Sequence, residues 1–173
     1  MTAVANTAFT AAQFNLHVRD NLLETAPAKA TTAGRLFVAT GANAIAERAN
    51  DAVNVATSET TASTSYTDLT TPGPSVTVTT GTKAIIMIGA RMANNTLGEI
   101  CSASVDITGA STIVAADGRA IRFESSAAND IARLGYGYIM TGLASGSNTF
   151  KLQYKVTGGT GTFVDRHLSV QAL

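Results

Sequence analysis

Apolar and polar positions alternate in short runs over most of the chain, and the runs are separated by turn signals. Ser75–Thr80 (SVTVTT) alternates strictly, which predicts a strand with one wet face. Ala84–Met92 (AIIMIGARM) opens as a continuous apolar run, which predicts a strand covered on both faces. In Glu99–Ile107, alternation puts Cys101, Ala103, Val105 and Ile107 on one face and Ile100, Ser102, Ser104 and Asp106 on the other. STIVAA, AIRFES, ARLGYGYIMTG, NTFKLQYKV and TFVDRHLSVQAL continue the series. Turn signals sit at Pro72-Gly73-Pro74, Thr80-Gly81, Asp117-Gly118, Ser145-Gly146 and Gly158-Gly159. Strands recurring every ~8–12 residues predict a mainly β protein, an antiparallel sandwich or jelly roll.

The N-terminal part carries a different period. Thr10 and Gln13 have the spacing of a capping box. Phe14, Val18 and Leu22 follow at i, i+4 and i+8 on one helical face, Leu23 extends the apolar set, and Pro27 ends the pattern. A single short helix is marginal in water unless its apolar stripe is buried. The stripe must dock on the chain's own sheet, on a sister subunit or on another protein. The last option makes the segment an attachment arm whose interface residues are Phe14, Val18, Leu22 and Leu23. Two short extended pieces follow, Leu36–Ala39 and Ala44–Glu47, joined by a turn at Gly41–Asn43. The expected division is an arm over residues 1–55 and a β-sandwich body over residues 56–173. The body opens with the small polar stretch ATSETTASTS, read as a linker or edge segment.

Composition narrows the function. Lys and Arg total 12, Asp and Glu total 12, and only 14% of residues are charged, against about 25% in a typical domain. Such a chain lacks the field that draws proteins to nucleic acids or acidic membranes. Low charge and apolar strand faces favour self-association, and a homotrimer is expected. Cys101 is the one cysteine, so no intrachain disulfide exists, and its strand position reads as a small buried hydrophobe. No apolar run approaches the ~18 residues of a membrane span. The first residues lack a secretory pattern, so folding in a reducing cytoplasm is expected.

The residue types that carry chemistry are sparse. His17, His167 and Cys101 show no zinc spacing. Asp165, His167 and Ser169 alternate along one strand side, which cannot reproduce the geometry of a catalytic triad. TGGTGT lacks the Lys-Ser or Lys-Thr and the helix of a phosphate loop, and reads as a hairpin tip. No catalytic residue, metal ligand or cofactor is therefore expected. Two carboxylates converging from distant strands would make a glycan-cleaving enzyme the alternative. Arg119, Arg122, Glu124, Asp130 and Arg133 form a mixed-charge region. Tyr136 and Tyr138 share a strand face and, with Arg133, are candidates for ligand or subunit contact, including a carbohydrate-binding module. Asn94-Asn95-Thr96 matches a glycosylation sequon, which carries no weight without a secretory signal.

The segment FNLHVRDNLLETAPAKATTAGRLFVATGANAIAER resembles one near the start of small virion proteins of actinobacterial phages. SYTDLTTPGPSVTVTTGTKAIIMIGARM and NTFKLQYKVTGGTGTFVDRHLSVQAL resemble the β-sandwich modules of the same proteins, which are labelled head decoration, minor tail or tail-fibre-like proteins. The resemblance covers nearly the whole chain. It implies a non-enzymatic structural part of a phage particle, a jelly-roll or TNF-like trimer. Its partners would be the major capsid protein or tail proteins, and it would be assembled into the virion in the host cytoplasm. The short chain and absence of a fibre repeat favour a capsid decoration protein over a tail protein that contacts the host.

Overall fold

The computed structural model describes residues 8, 10–23 and 29–173. The chain divides into two units, Met1–Glu47 and Arg48–Leu173.

In the first unit, Thr10 caps a helix start. Its hydroxyl accepts from the Gln13 amide at 3.2 Å, and the Gln13 side chain accepts from the Thr10 amide at 3.0 Å. The reciprocal box is the one its spacing predicts. The helix is not uniformly α. A turn of α1 (Ala11–Phe14) passes into a π-helical segment (Asn15–Arg19) and then α2 (Asp20–Leu23). The π turn bonds i to i+5, so Phe14, Val18 and Leu22 do not form the straight line expected of a pure α-helix. Pro27 lies outside the described residues. β1 (Leu36–Gly41) and β2 (Ala44–Arg48) pair as a two-stranded sheet, turning where Asn43 takes φ +56°. Asn tolerates that left-handed conformation better than most residues.

The second unit is an antiparallel sandwich. Its strands are β3 (Asn50–Val55), β4 (Glu59–Thr61), β5 (Ser75–Thr80), β6 (Lys83–Asn94), β7 (Ile100–Gly109), β8 (Ile121–Glu124), β9 (Ile131–Thr141), β10 (Gly146–Val156) and β11 (Gly161–Ala172). One sheet runs β5-β10-β7-β8, and the other runs β3-β11-β6-β9 with β4 also on β11. The boundary therefore falls earlier than residue 55. β3 pairs with β11 in the register Val53↔Leu168, because its alternation gives it an inward side that a sheet can bury. β4 is the short edge segment that its small polar residues suggest.

Side chains from both sheets fill the core, among them Val76, Ile86, Ile88, Met92, Val105, Phe150, Leu152, Tyr154, Phe163 and Leu168. β5 buries Val76, Val78 and Thr80 and leaves the alternate residues wet, as its pattern predicts. β6 departs from expectation. Its even-numbered residues are buried, but Met87 on the other face is 52% exposed. Apolarity on both sides of a strand does not supply a second layer to cover it. STIVAA is not a strand either. It crosses back over β7 with one bridge, Ile113↔Ile107. There Ser104 Oγ donates to the Ala116 carbonyl at 2.9 Å and accepts from its amide at 3.1 Å. That covering loop explains why Ser104 is buried.

Candidate functional site

The helix of the first unit presents its apolar side chains. Phe14 is 49% exposed, and Leu16 and Leu22 are 61% exposed each. Val18 is half-buried, and the Leu23 and His17 side chains lie outside the described set.

The Tyr136–Tyr138–Arg133 group does not assemble. The two tyrosines stack with ring centroids 5.3 Å apart. Both lie on the core side of β9, where Tyr138 packs against the hydrophobic cluster. Burial pushes the Tyr138 phenol up to about 12, with the Arg119 side chain beside its hydroxyl working in the opposite direction. Tyr136 is half-exposed. Arg133 pairs with Arg91 across the β6–β9 ladder, which places it on the opposite face.

The Asp165–His167–Ser169 alternation is broken by a β-bulge. Register shifts between Val164 and His167, and Asp165 takes φ +50°. Asp165 then lies 3.8 Å from Arg91. The extra residue turns Arg166 into the core, a position the sequence reading missed. Arg166 has no exposed surface. Its Nη1 donates to the Thr71 carbonyl at 3.1 Å and its Nη2 to Thr57 Oγ1 at 2.8 Å. The guanidinium sits 5.5 Å from the Tyr154 ring centroid, and the Tyr154 hydroxyl donates to the Gly73 carbonyl at 2.8 Å. Glu59 stands 4.0 Å from Nη1 and accepts from Thr71, so its carboxyl is held below the usual range. These groups brace a loop, and each is already committed to protein partners.

Two carboxylates in and beside the mixed-charge region are held by neighbours. Asp117 receives Lys155 at 2.8 Å and the Tyr66 hydroxyl at 2.8 Å. Asp130 accepts from Ser126 and from the Ile131 amide. Cys101 is fully buried and donates to the Ala93 carbonyl at 3.2 Å, and burial pushes its thiol up to about 11. Asn94 of the sequon has no exposed surface and cannot present a glycan. Among the described residues, no cluster of three His, Cys, Asp or Glu side chains could hold a metal ion.

Arg166, Tyr154, Glu59, Asp117 and Asp130 thus hold loops, and apolar side chains are exposed on the helix of the first unit and on the outer face of β6 and β9. The strand order and the shared core define a jelly-roll sandwich of the TNF-like type. No protein-family model matches the chain, and no curated protein does. Solved structures do. Eiger TNF from S. frugiperda matches with a TM-score of 0.51 at 10% identity, over 73% of this chain and 92% of that one. The infectious bursal disease virus VP2 subviral particle matches with a TM-score of 0.50 at 9% identity, over 78% of this chain and 37% of that one. The Gx strain of the same virus matches at 0.48 with 12% identity, over 78% of this chain and 36% of that one. The chain spans just over a third of the viral proteins' length. At such identities the likeness is one of fold. No helix among the described residues is long and apolar enough to cross a membrane.

Proposed function

We propose that the chain is a non-enzymatic structural protein of a bacteriophage particle, a capsid decoration protein on the head exterior. Three copies form a cluster through their sandwich bodies. The N-terminal unit is an attachment arm that docks on the major capsid protein or on neighbouring copies. The mechanism is cementing: surface buried between capsomers stabilises each shell contact by binding the assembled state.

The observation that carries this reading is the division of labour along the chain. One unit has its own closed core, and the other carries a helix with no buried residue in its first turn and exposed Phe14, Leu16 and Leu22. The sequence resemblance to phage virion proteins supports the same role. So does a fold shared with the particle-forming VP2.

The test is co-sedimentation of purified protein with particles that lack it. Burying a large apolar side chain contributes roughly 1.5–3 kcal/mol, and each 1.4 kcal/mol is about tenfold in affinity. Phe14→Ala combined with Leu22→Ala should therefore weaken attachment by at least ~100-fold, with the body's circular dichroism unchanged. Wild-type attachment by the double variant would remove the arm from the contact. A wild-type chain that purifies with tails instead of heads would move the protein to a tail role.

A further inference from the structure

Arg91 on β6 and Arg133 on β9 stand directly opposite each other in the ladder, on the outer face of their sheet. Like charges so placed have Cβ atoms about 5 Å apart and destabilise the strand pair. The chain answers them only in part. Arg91 meets Asp165 3.8 Å from its Nε, beyond hydrogen-bond reach, and its side chain is 44% exposed. Among the described residues, Arg133 has no carboxylate within 4.0 Å, and its guanidinium has no hydrogen bond. Asp130, close by in sequence, is held instead by Ser126 and by the Ile131 amide.

Beside this pair the face opens into a recess of about 210 Å³. Ala93 and Ile131 lie opposite each other one step along the same face, and with Val164 of β11 they give the recess apolar walls. Arg91 itself lines it, as do Ser58 and Thr162. The β-bulge borders it. β11 advances three residues, from Val164 to His167, while β6 advances two, from Arg91 to Gly89. Bulges occur often beside active sites, where they re-aim a side chain. Here the bulged Asp165, at φ +50°, brings its carboxylate to Arg91. A residue with a Cβ seldom takes that conformation.

Size and charge select the ligand. At the ~30 Å³ that a water molecule occupies in the liquid, the recess takes about seven heavy atoms. That is the size of a phenyl ring or a branched alkyl group. The two guanidinium groups carry two positive charges and Asp165 offsets one, so a single negative charge remains to be supplied. Arginine presents a planar fork of donors that suits a carboxylate.

We propose that Arg91, Arg133 and the recess walled by Ala93, Ile131 and Val164 bind a small monocarboxylate with a compact apolar body. The body fills the recess, and the carboxylate lies between the two guanidinium groups. The site goes beyond the virion role and does not depend on it, since it needs only the folded sandwich. A bound carboxylate relieves the like-charge contact and binds only the folded chain, so it should raise the melting temperature.

The test is a titration of the full, isotope-labelled chain with benzoate, followed by amide shifts in nuclear magnetic resonance. Ionic strength is kept low because the charges are partly exposed. A dissociation constant of about 1 mM is expected for so small a ligand. Shifts should saturate together at Arg91, Ala93, Ile131, Arg133 and Val164. Arg91→Gln and Arg133→Gln, both at exposed positions, should each weaken binding by about tenfold or more, with unchanged melts in the absence of ligand. On the wild type, acetate lacks the body and benzyl alcohol lacks the charge, and each should bind at least ~10-fold more weakly than benzoate. Inorganic phosphate binding more tightly than benzoate would overturn the apolar half of the proposal. Benzoate that leaves the spectrum unchanged at ~50 mM, far above the expected constant, would sink the site altogether. So would equal binding by the wild type and both folded glutamine variants.

Discussion

Arg166 shows how much one residue's surroundings can ask of it. A guanidinium with no exposed surface is tolerated because it donates to the Thr71 and Gly73 carbonyls and to Thr57, with Glu59 nearby. Thr71 and Gly73 lie on the segment between β4 and β5; Gly73 also accepts from the Tyr154 hydroxyl, so the Thr71 carbonyl is the one that depends on Arg166. Truncation takes the donor from the Thr71 carbonyl and from Thr57 Oγ1 and leaves Glu59 with Thr71 alone, and removing one partner of a buried charged group is strongly destabilising. Arg166→Ala should lower stability by about 3 kcal/mol or more, read as a shift in the denaturant midpoint without a change in slope. Arg166→Met keeps the volume and should lower it less. An alanine variant as stable as the wild type would mean that water or a backbone shift replaces the arginine.

At the level of elements, the β10–β11 hairpin is a tight junction. Its tip carries Gly158 and Gly159, and β11 starts at Gly161, directly against the core. A Cβ on Gly161 would lie 2.5 Å from Val156 Cγ1 and 2.8 Å from Cys101 Sγ. Neither neighbour is the free end of a long side chain, so the strands must move apart. Overpacking of this kind costs about 1–3 kcal/mol. Gly161→Ala should therefore lower the melting temperature, whereas Gly118→Ala, where a Cβ would meet nothing within 4 Å, should leave it nearly unchanged. Equal melting temperatures for the two would show that the hairpin absorbs the extra methyl.

For the whole molecule, pH gives a collective readout. Glu59 is held low first by the Thr71 hydroxyl, Asp117 first by Lys155 and Asp130 first by the Ser126 hydroxyl. When the folded pKa is depressed, the unfolded chain takes up protons first as pH falls. The stabilisation is complete above the ordinary values of 4.5 for Glu and 3.8 for Asp, and is lost as pH drops through the folded values. Melting temperature should be level from about pH 7 to about pH 5 and should decline only below about pH 4. A steady decline beginning near pH 6 would point to a histidine or to the assembly contact instead.

Local order was legible in the chain because local rules generate it. Strict alternation marks β5, the Thr10–Gln13 spacing marks the helix start, and the Gly41–Asn43 turn joins β1 to β2. The separation of Arg133 from Tyr136 was also readable, since an odd spacing in a strand puts two side chains on opposite faces. The bulge had a signal too: Phe163 and Leu168 are both buried five positions apart, which no regular strand allows. What the sequence by itself determined is the mainly β class, the turns and which residues alternate. Tertiary structure alone decided which sides are covered. The same apolar character occurs at Ile86, which is sealed, and at Met87, which is open. Ser104 is buried although polar, because a loop from beyond β7 returns to bond it. Burial is set by what packs on a face, and that neighbour comes from a distant part of the chain or from another molecule.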